Sequence, residues 1–279
     1  MSACINKSEI LLRLHQLPVI PIVIQEVLAG FSHAEVNRNT IATNIEKDQG
    51  LSAKVLRVAN SSFYGLPRSV HSIKDAVTVM GFNSVSSLVL SAGFMRAFPH
   101  PGKSAFNRKM HWRRSFRVAA YARALARVFN MDQHLTFTAG MFHDIGLLVL
   151  DVCIPEEFSE MLTQQEQTGA SLLAIEQAEI GCDHAEIGAE MARRWNFPPE
   201  IEQAILNWRT PESGTFLPLA GVIYVAVLLE GGLEDEALMA AIPPAMASKM
   251  GISWLRIQAD LPQSAQLDNE VQLILSAAG

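Results

Sequence analysis

Apolar residues recur along most of this chain at spacings of three and four, with polar residues filling the other faces, which is the signature of amphipathic helices; alternating β-branched runs bounded by turns are scarce. The boundaries come from capping chemistry. Asn39 is placed to cap a helix over 40–47, and Asp48 to cap one over 51–60, where Leu51, Val55 and Val58 share a face. Ser72 precedes a helix over 73–80 that stops at Gly81, and Asn83 or Ser84 is expected to start another that runs to about residue 97. Pro99-His100-Pro101 reads as a turn. A long basic helix is expected over 104–130, and Asp132 or Thr136 starts an apolar one containing 137–150. Asp183 and Glu186 have capping-box spacing ahead of Ile187, Met191 and Trp195, which fall on one face. Pro198-Pro199, Pro218, Pro243 and Pro244 open or punctuate the remaining helices. The expectation is an all-α multi-helix bundle: an N-terminal helical subdomain over 1–98, a helical core over 99–210, and C-terminal helices over 211–279 that complete it.

Composition narrows the setting. With 279 residues and 49% hydrophobic content the chain can bury a sizeable core. Its uncharged stretches over 76–95 and 213–229 are interrupted by Gly81, Asn83 and Ser84 and by Pro218 and Gly221, so they are read as buried core helices rather than membrane spans. The apolar segments 237–250 and 271–278 either complete the core or pair between subunits of a homodimer. Phe63 and Tyr64 are expected to fill the junction between subdomains. Cys4, Cys153 and Cys182 form neither a disulfide framework nor a zinc knuckle, and residues 1–14 carry Lys7, Glu9 and Arg13 in place of a signal-peptide core; both fit the cytoplasm.

The net charge of −6 argues against a general nucleic-acid-binding surface. The segment 101–131 is the exception, with Lys103, Arg108, Lys109, Arg113, Arg114, Arg117, Arg123 and Arg127 and no acid. Arginine forks suit phosphate oxygens, so Arg113, Arg114 and Arg117 are candidates for binding phosphate, a nucleotide or a partner. The plainer reading is a solvated face paired with acids such as Glu156, Glu157 and Glu160.

One apolar run carries the chemistry. Within 137–150, His143 and Asp144 are adjacent, and burying a carboxylate beside an imidazole is costly unless a metal, a cation or hydrogen bonds compensate it. On a helix the two side chains would point about 100° apart, close enough to reach one ion.

Here the chain resembles a known family. The stretch Asp48-Gln-Gly-Leu-Ser-Ala-Lys-Val-Leu-Arg-Val-Ala-Asn-Ser-Ser-Phe-Tyr-Gly65, then residues 70–81, 139–150, 181–188 and 195–198, look like the HDOD domain of bacterial signalling proteins. The resemblance implies an all-helical fold related to the HD phosphohydrolases, which hydrolyse phosphate esters with a divalent metal held by a histidine, a His-Asp doublet and a later aspartate. It also implies a regulatory branch in which that set is eroded. Of the set, His143 and Asp144 match the doublet and His184 a histidine often kept. Arg114 stands where the first histidine belongs; His111, one turn earlier on the same face, is an outside candidate displaced by about 5 Å. Asn207-Trp208 stands where many relatives have paired histidines, and Tyr224 and Ala226 stand where the last aspartate is sought.

These residues leave three readings open. An Arg114–Asp144 ion pair satisfies the carboxylate without metal. Alternatively His143, Asp144 and His184 hold a partly hydrated divalent ion without turnover. In the third, the chain is a metal-dependent phosphohydrolase acting on nucleotides or related phosphate esters. His184, at a first helical turn, is expected at the surface and neutral, because the helix dipole opposes its protonation. The leading expectation is a non-catalytic module that acts on a separate signalling protein in trans, with no cofactor required.

Overall fold

The computed structural model describes residues 6–14, 17, 21–32, 38–60, 65–98, 102, 104–265, 267–268, 271–272 and 275. All regular structure among them is helical, as the periodicity predicts.

The first half is built from short capped helices. Asn6 opens α1 (Lys7–Arg13) with a full capping box to Glu9. After α2 (Ile22–Ser32) comes α3 (Arg38–Lys47), which begins before Asn39. Asn39 is therefore not a cap; its carbonyl accepts the Thr43 hydroxyl from inside the helix at 2.9 Å. Asp48 does cap α4 (Gln49–Ala59), accepting from Leu51 N at 3.0 Å, and Ser72 caps α5 (Ile73–Met80). Gly81 ends α5 at φ +86°, a conformation costly for any residue with a Cβ. α6 (Phe82–Ala97) starts directly after it without a side-chain cap, so neither Asn83 nor Ser84 takes that role; Ser84 bonds back to Met80 O. The expected turn at 99–101 and the junction residues Phe63 and Tyr64 lie outside the described residues.

The centre is α7 (Arg108–Val128), which packs most extensively against α8 (Gln133–Phe142) and α14 (Pro218–Glu230). It is shorter than the pattern predicts, because Asn107 caps it by accepting from Met110 N at 3.0 Å. The preceding segment is instead tied to α9 (Ile145–Cys153): the Asp151 carboxylate accepts from both Ser104 Oγ and Arg108 Nε. The helix expected across 137–150 is interrupted. α8 stops at Phe142, Asp144 has φ −116° and ψ 27°, and α9 begins at Ile145, which places the doublet at a corner.

α10 (Pro155–Thr168) and α11 (Leu172–Ile180) both end at left-handed glycines, Gly169 and Gly181. Asp183 caps α12 (His184–Arg194) by accepting from Glu186 N, but the Glu186 side chain turns to Lys7 and Gln177, so only half of the capping box forms. Proline opens α13 (Pro199–Asn207), α14 and α16 (Pro244–Met250), as expected. α15 (Asp235–Ala241) and α17 (Trp254–Ile257) complete the C-terminal group.

One apolar core runs through all of these elements, from Ile10 and Leu51 through Leu125 and Leu148 to Leu238, Met246 and Val271. The uncharged stretches are inside it: Val85, Leu88 and Leu90 of α6 and Val222, Ile223 and Val225 of α14 are buried. Among the described residues one stretch, Gln133–Cys153, is long and apolar enough to cross a membrane; it spans the corner between α8 and α9, and 83% of its apolar window is buried against the rest of the fold.

Candidate functional site

The corner between α8 and α9 meets the start of α12 through glycine. Gly146 on α9 packs so closely on α12 that a Cβ added there would lie 1.8 Å from His184 O and 2.9 Å from Gly188 N. That crossing carries His184 up to the doublet. All three expected ligands are thus brought together and are buried, at 1%, 3% and 3% exposure for His143, Asp144 and His184. The expectation of a surface His184 is overturned, because α12 presents its first residue inward.

Two residues that the sequence reading missed complete the cluster. Glu176 of α11, fully buried, accepts from His184 N at 2.9 Å and contacts Nδ1 at 2.7 Å. Arg209, which follows α13, donates through Nη2 to Asp144 Oδ1 at 2.9 Å and lies 2.6 Å from His184 Nε2. Its guanidinium rests on the Trp208 ring, 4.0 Å from the centroid. The cation beside Asp144 is therefore Arg209 and not Arg114, whose Nε faces Glu230 at 3.3 Å. Reach explains the difference: Arg114 is 45% exposed at the rim of α7, where Glu230 at the end of α14 is the nearer acid.

Hydrogen-bond direction fixes much of the chemistry. His143 Nδ1 lies 2.7 Å from Gly140 O, an acceptor, so Nδ1 carries the proton. Its Nε2 stands 3.3 Å from Asp144 Oδ2 and makes no hydrogen bond. Against His184 the neighbours pull in opposite directions. Burial disfavours its charge, but the carboxylates of Asp144 and Glu176 raise its pKa above 6.5. A guanidinium at 2.6 Å can only donate, however, so the geometry present accommodates the neutral ring with its proton on Nδ1. Burial also disfavours the charge on Asp144; His143, His184 and Arg209 outweigh it and hold the carboxyl well below 3.8.

His111 does not join the cluster directly. It is buried on α7, lines the same cavity as the doublet, and has an unpartnered Nε2; burial pushes its pKa down to about 3. Arg113 and Arg117, the other candidates on α7, face Asp268 at 3.0 and 2.6 Å, with Arg117 also 3.5 Å from Glu230. Their acids come from the C-terminal segment and not from Glu156, Glu157 or Glu160.

A divalent ion does not fit this set as arranged. Two of the atoms that would hold it, Asp144 Oδ1 and His184 Nε2, are both taken by Arg209 Nη2, and among the described residues no three His, Cys, Asp or Glu side chains form a metal-holding group.

The family model for the HDOD domain matches residues 17–211. The chain belongs to the HDOD family. A solved structure from Shewanella amazonensis, provisionally named a phosphohydrolase, is 25% identical and superposes with a TM-score of 0.80 over 98% of both chains. One from Marinobacter aquaeolei, provisionally named a signal transduction protein, is 25% identical with a TM-score of 0.77 over 94% of this chain and 60% of that one. An HDOD protein of unknown function from Geobacter sulfurreducens, 21% identical with a TM-score of 0.75, shares the fold. An uncharacterized Treponema pallidum protein is 25% identical over 253 residues, 89% of this chain; the chain spans 48% of that relative's length. The glycines and doublet of this HDOD chain thus form one buried unit whose inner cation is an arginine.

Proposed function

We propose that this HDOD protein is a non-catalytic regulatory module of the bacterial cytoplasm, acting on a separate signalling protein through its helical surface. The observation that carries the reading is Arg209. Metal-dependent hydrolysis needs fixed ligands around an ion and an open position at which water loses a proton. Here Arg209 Nη2 contacts Asp144 Oδ1 and His184 Nε2 together, and a guanidinium supplies neither an open coordination position nor an acidic water. Arg113, Arg114 and Arg117 each face a carboxylate as well, which a phosphate would have to displace.

The Shewanella relative's name supports the other reading, a phosphohydrolase; such an enzyme would hold a divalent metal at this site only with Arg209 moved aside. Turnover of bis-p-nitrophenyl phosphate separates the two. We expect none above background with manganese, cobalt, nickel or ferrous iron. Turnover that disappears in Asp144→Ala would establish the enzyme and end the regulatory reading.

A further inference from the structure

The basic face of α7 is covered by a segment that lies outside the matched family unit. Residues 261–263, with Pro262 among them, lead without helix from the 3-10 turn at Gln258–Asp260 into a C-terminal segment that is helical at each described position from 264 to 275. Leu267, Val271 and Leu275 recur every four residues along it and are buried, and Asp268 stands beside this stripe. α7 falls within residues 17–211 of the HDOD match; the covering segment does not.

Geometry makes the covered face an anion site. Arg113, Arg117 and Tyr121 follow one another at four-residue spacing on α7, so they share a face. Arg117, 12% exposed, is fixed by the fold: its Nε faces Glu230 Oε1 at 3.5 Å and its guanidinium lies over the Tyr121 ring, 5.9 Å from the centroid. Its two Nη groups turn to the C-terminal segment, donating to Asp268 Oδ1 at 2.6 Å and to Ser264 Oγ at 3.4 Å. Arg113 Nη2 donates to the same Asp268 oxygen at 3.0 Å. Arginine is permanently charged, so the sign of this site depends on no titration.

The occupant uses less than the site offers. Two guanidinium groups share one oxygen of Asp268, and its second oxygen accepts nothing among the described residues. Arg114 meets Glu230 only through Nε at 3.3 Å, and its Nη groups donate to nothing among the described residues. Three arginines thus face two carboxylates, which leaves one positive charge in excess. Arg113 and Arg114 are 44% and 45% exposed, and ion pairs at that exposure hold weakly against a competitor.

We propose that Arg113, Arg114 and Arg117 form the docking site for an acidic amphipathic helix of the signalling partner, and that the C-terminal segment is an intramolecular copy of that helix which the partner displaces. The helix that fits has apolar residues every fourth position, an acid directly after the first of them as Asp268 follows Leu267, and a further acid within reach of Arg114. The proposal rests on the reading that the chain acts on a separate protein.

Fluorescence anisotropy on the full chain tests it, with a labelled peptide of residues 261–279 as the probe. Wild type should bind the peptide weakly, because the tethered segment competes at an effective concentration on the order of millimolar. Asp268→Lys, which sets the tethered segment against two guanidinium groups, should bind it at least about tenfold more tightly. Adding Arg117→Glu should remove that gain and transfer the preference to a peptide carrying Asp268→Lys. In wild type, amide exchange at Leu267 and Val271 should be at least about 100-fold faster than at Val118 and Ala119, as a segment that opens without global unfolding requires. Unchanged affinity in Asp268→Lys, equal binding of a scrambled peptide, equal protection of the segment and α7, or displacement of the peptide by equimolar inorganic phosphate or oligothymidylate overturns the proposal. Dimerisation of wild type through exchanged segments gives the face to a second copy and overturns it as well. Turnover of bis-p-nitrophenyl phosphate with peptide binding intact ends the regulatory reading alone, whereas loss of peptide binding without turnover ends this proposal alone.

Discussion

Gly146 and His184 are in backbone contact: there is no room on Gly146 for a methyl group, whose carbon would lie 1.8 Å from the His184 carbonyl oxygen. The contact sets how deeply α12 inserts beside the His143-Asp144 corner, and so whether His184 reaches Arg209 and Asp144 at all. Replacing Gly146 by alanine must push two buried helices apart. We expect Gly146→Ala to lower stability by about 2–4 kcal/mol, read as a lower urea midpoint. His184 resonances should move with it, because its ring withdraws from the guanidinium. A variant with wild-type stability would mean that the helices can slide, and that the crossing does not position His184.

His111 gives a pH signature of defined sign. Its ring is buried between Phe106 and Trp112, and burial lowers its pKa from 6.5 to about 3. The unfolded chain therefore binds a proton that the folded chain refuses, which costs stability as pH falls from 6.5 towards 3 and nothing above 6.5. Urea unfolding as a function of pH should show wild type losing up to about 1.4 kcal/mol per pH unit in that window relative to His111→Phe. Equal slopes would place the ring in contact with water.

Arg108 and Asp151 form the most deeply buried arginine–carboxylate pair among the described residues, at 9% and 0% side-chain exposure, and they fasten the segment before α7 to α9. Removing one partner strands the other in the core. Asp151→Ala is expected to cost about 3–5 kcal/mol, whereas Arg108→Met combined with Asp151→Leu should cost much less. A double variant as unstable as the single one would show that Ser104 and the Phe98 carbonyl, which accepts from Arg108 Nη1 at 3.4 Å, depend on the charges themselves.

The helical fold and several of its caps were legible in the sequence because they are local. Asp48, Ser72, Asp132 and Asp183 each cap a backbone N–H two or three residues on, as their spacing predicts. The break at His143-Asp144 was not legible, since no proline or helix-stopping glycine stands at that point; Gly140 and Gly146 serve instead as contact points with Ala119 and His184. His143, Asp144 and His184 could be assembled from the family resemblance, but the charge balance around them is set by residues brought in from elsewhere. Arg209 and Glu176 lie 65 and 8 residues from the partners they bond. A faint signal for Arg209 did exist: between Arg194 and Lys249 it is the one basic residue, directly after Asn207-Trp208. Nothing in the sequence distinguished Glu176 from the solvated glutamates on neighbouring turns. The family pattern points to Arg114 as the partner of Asp144, and the folded geometry hands Arg114 to Glu230.

Arg209 Nη2 sits between Asp144 Oδ1 and His184 Nε2, where a divalent cation would sit, and metal binding to paired variants tests that substitution most directly. Calorimetric titration and elemental analysis with manganese and zinc should show wild type taking up no metal at the site. Arg209→Ala, which frees Asp144 Oδ1 and His184 Nε2, should take up about one ion per chain, and the further change Asp144→Ala should abolish that uptake. Stoichiometric metal on the wild-type protein, lost on Asp144→Ala and unaffected by Arg209→Ala, would contradict the account.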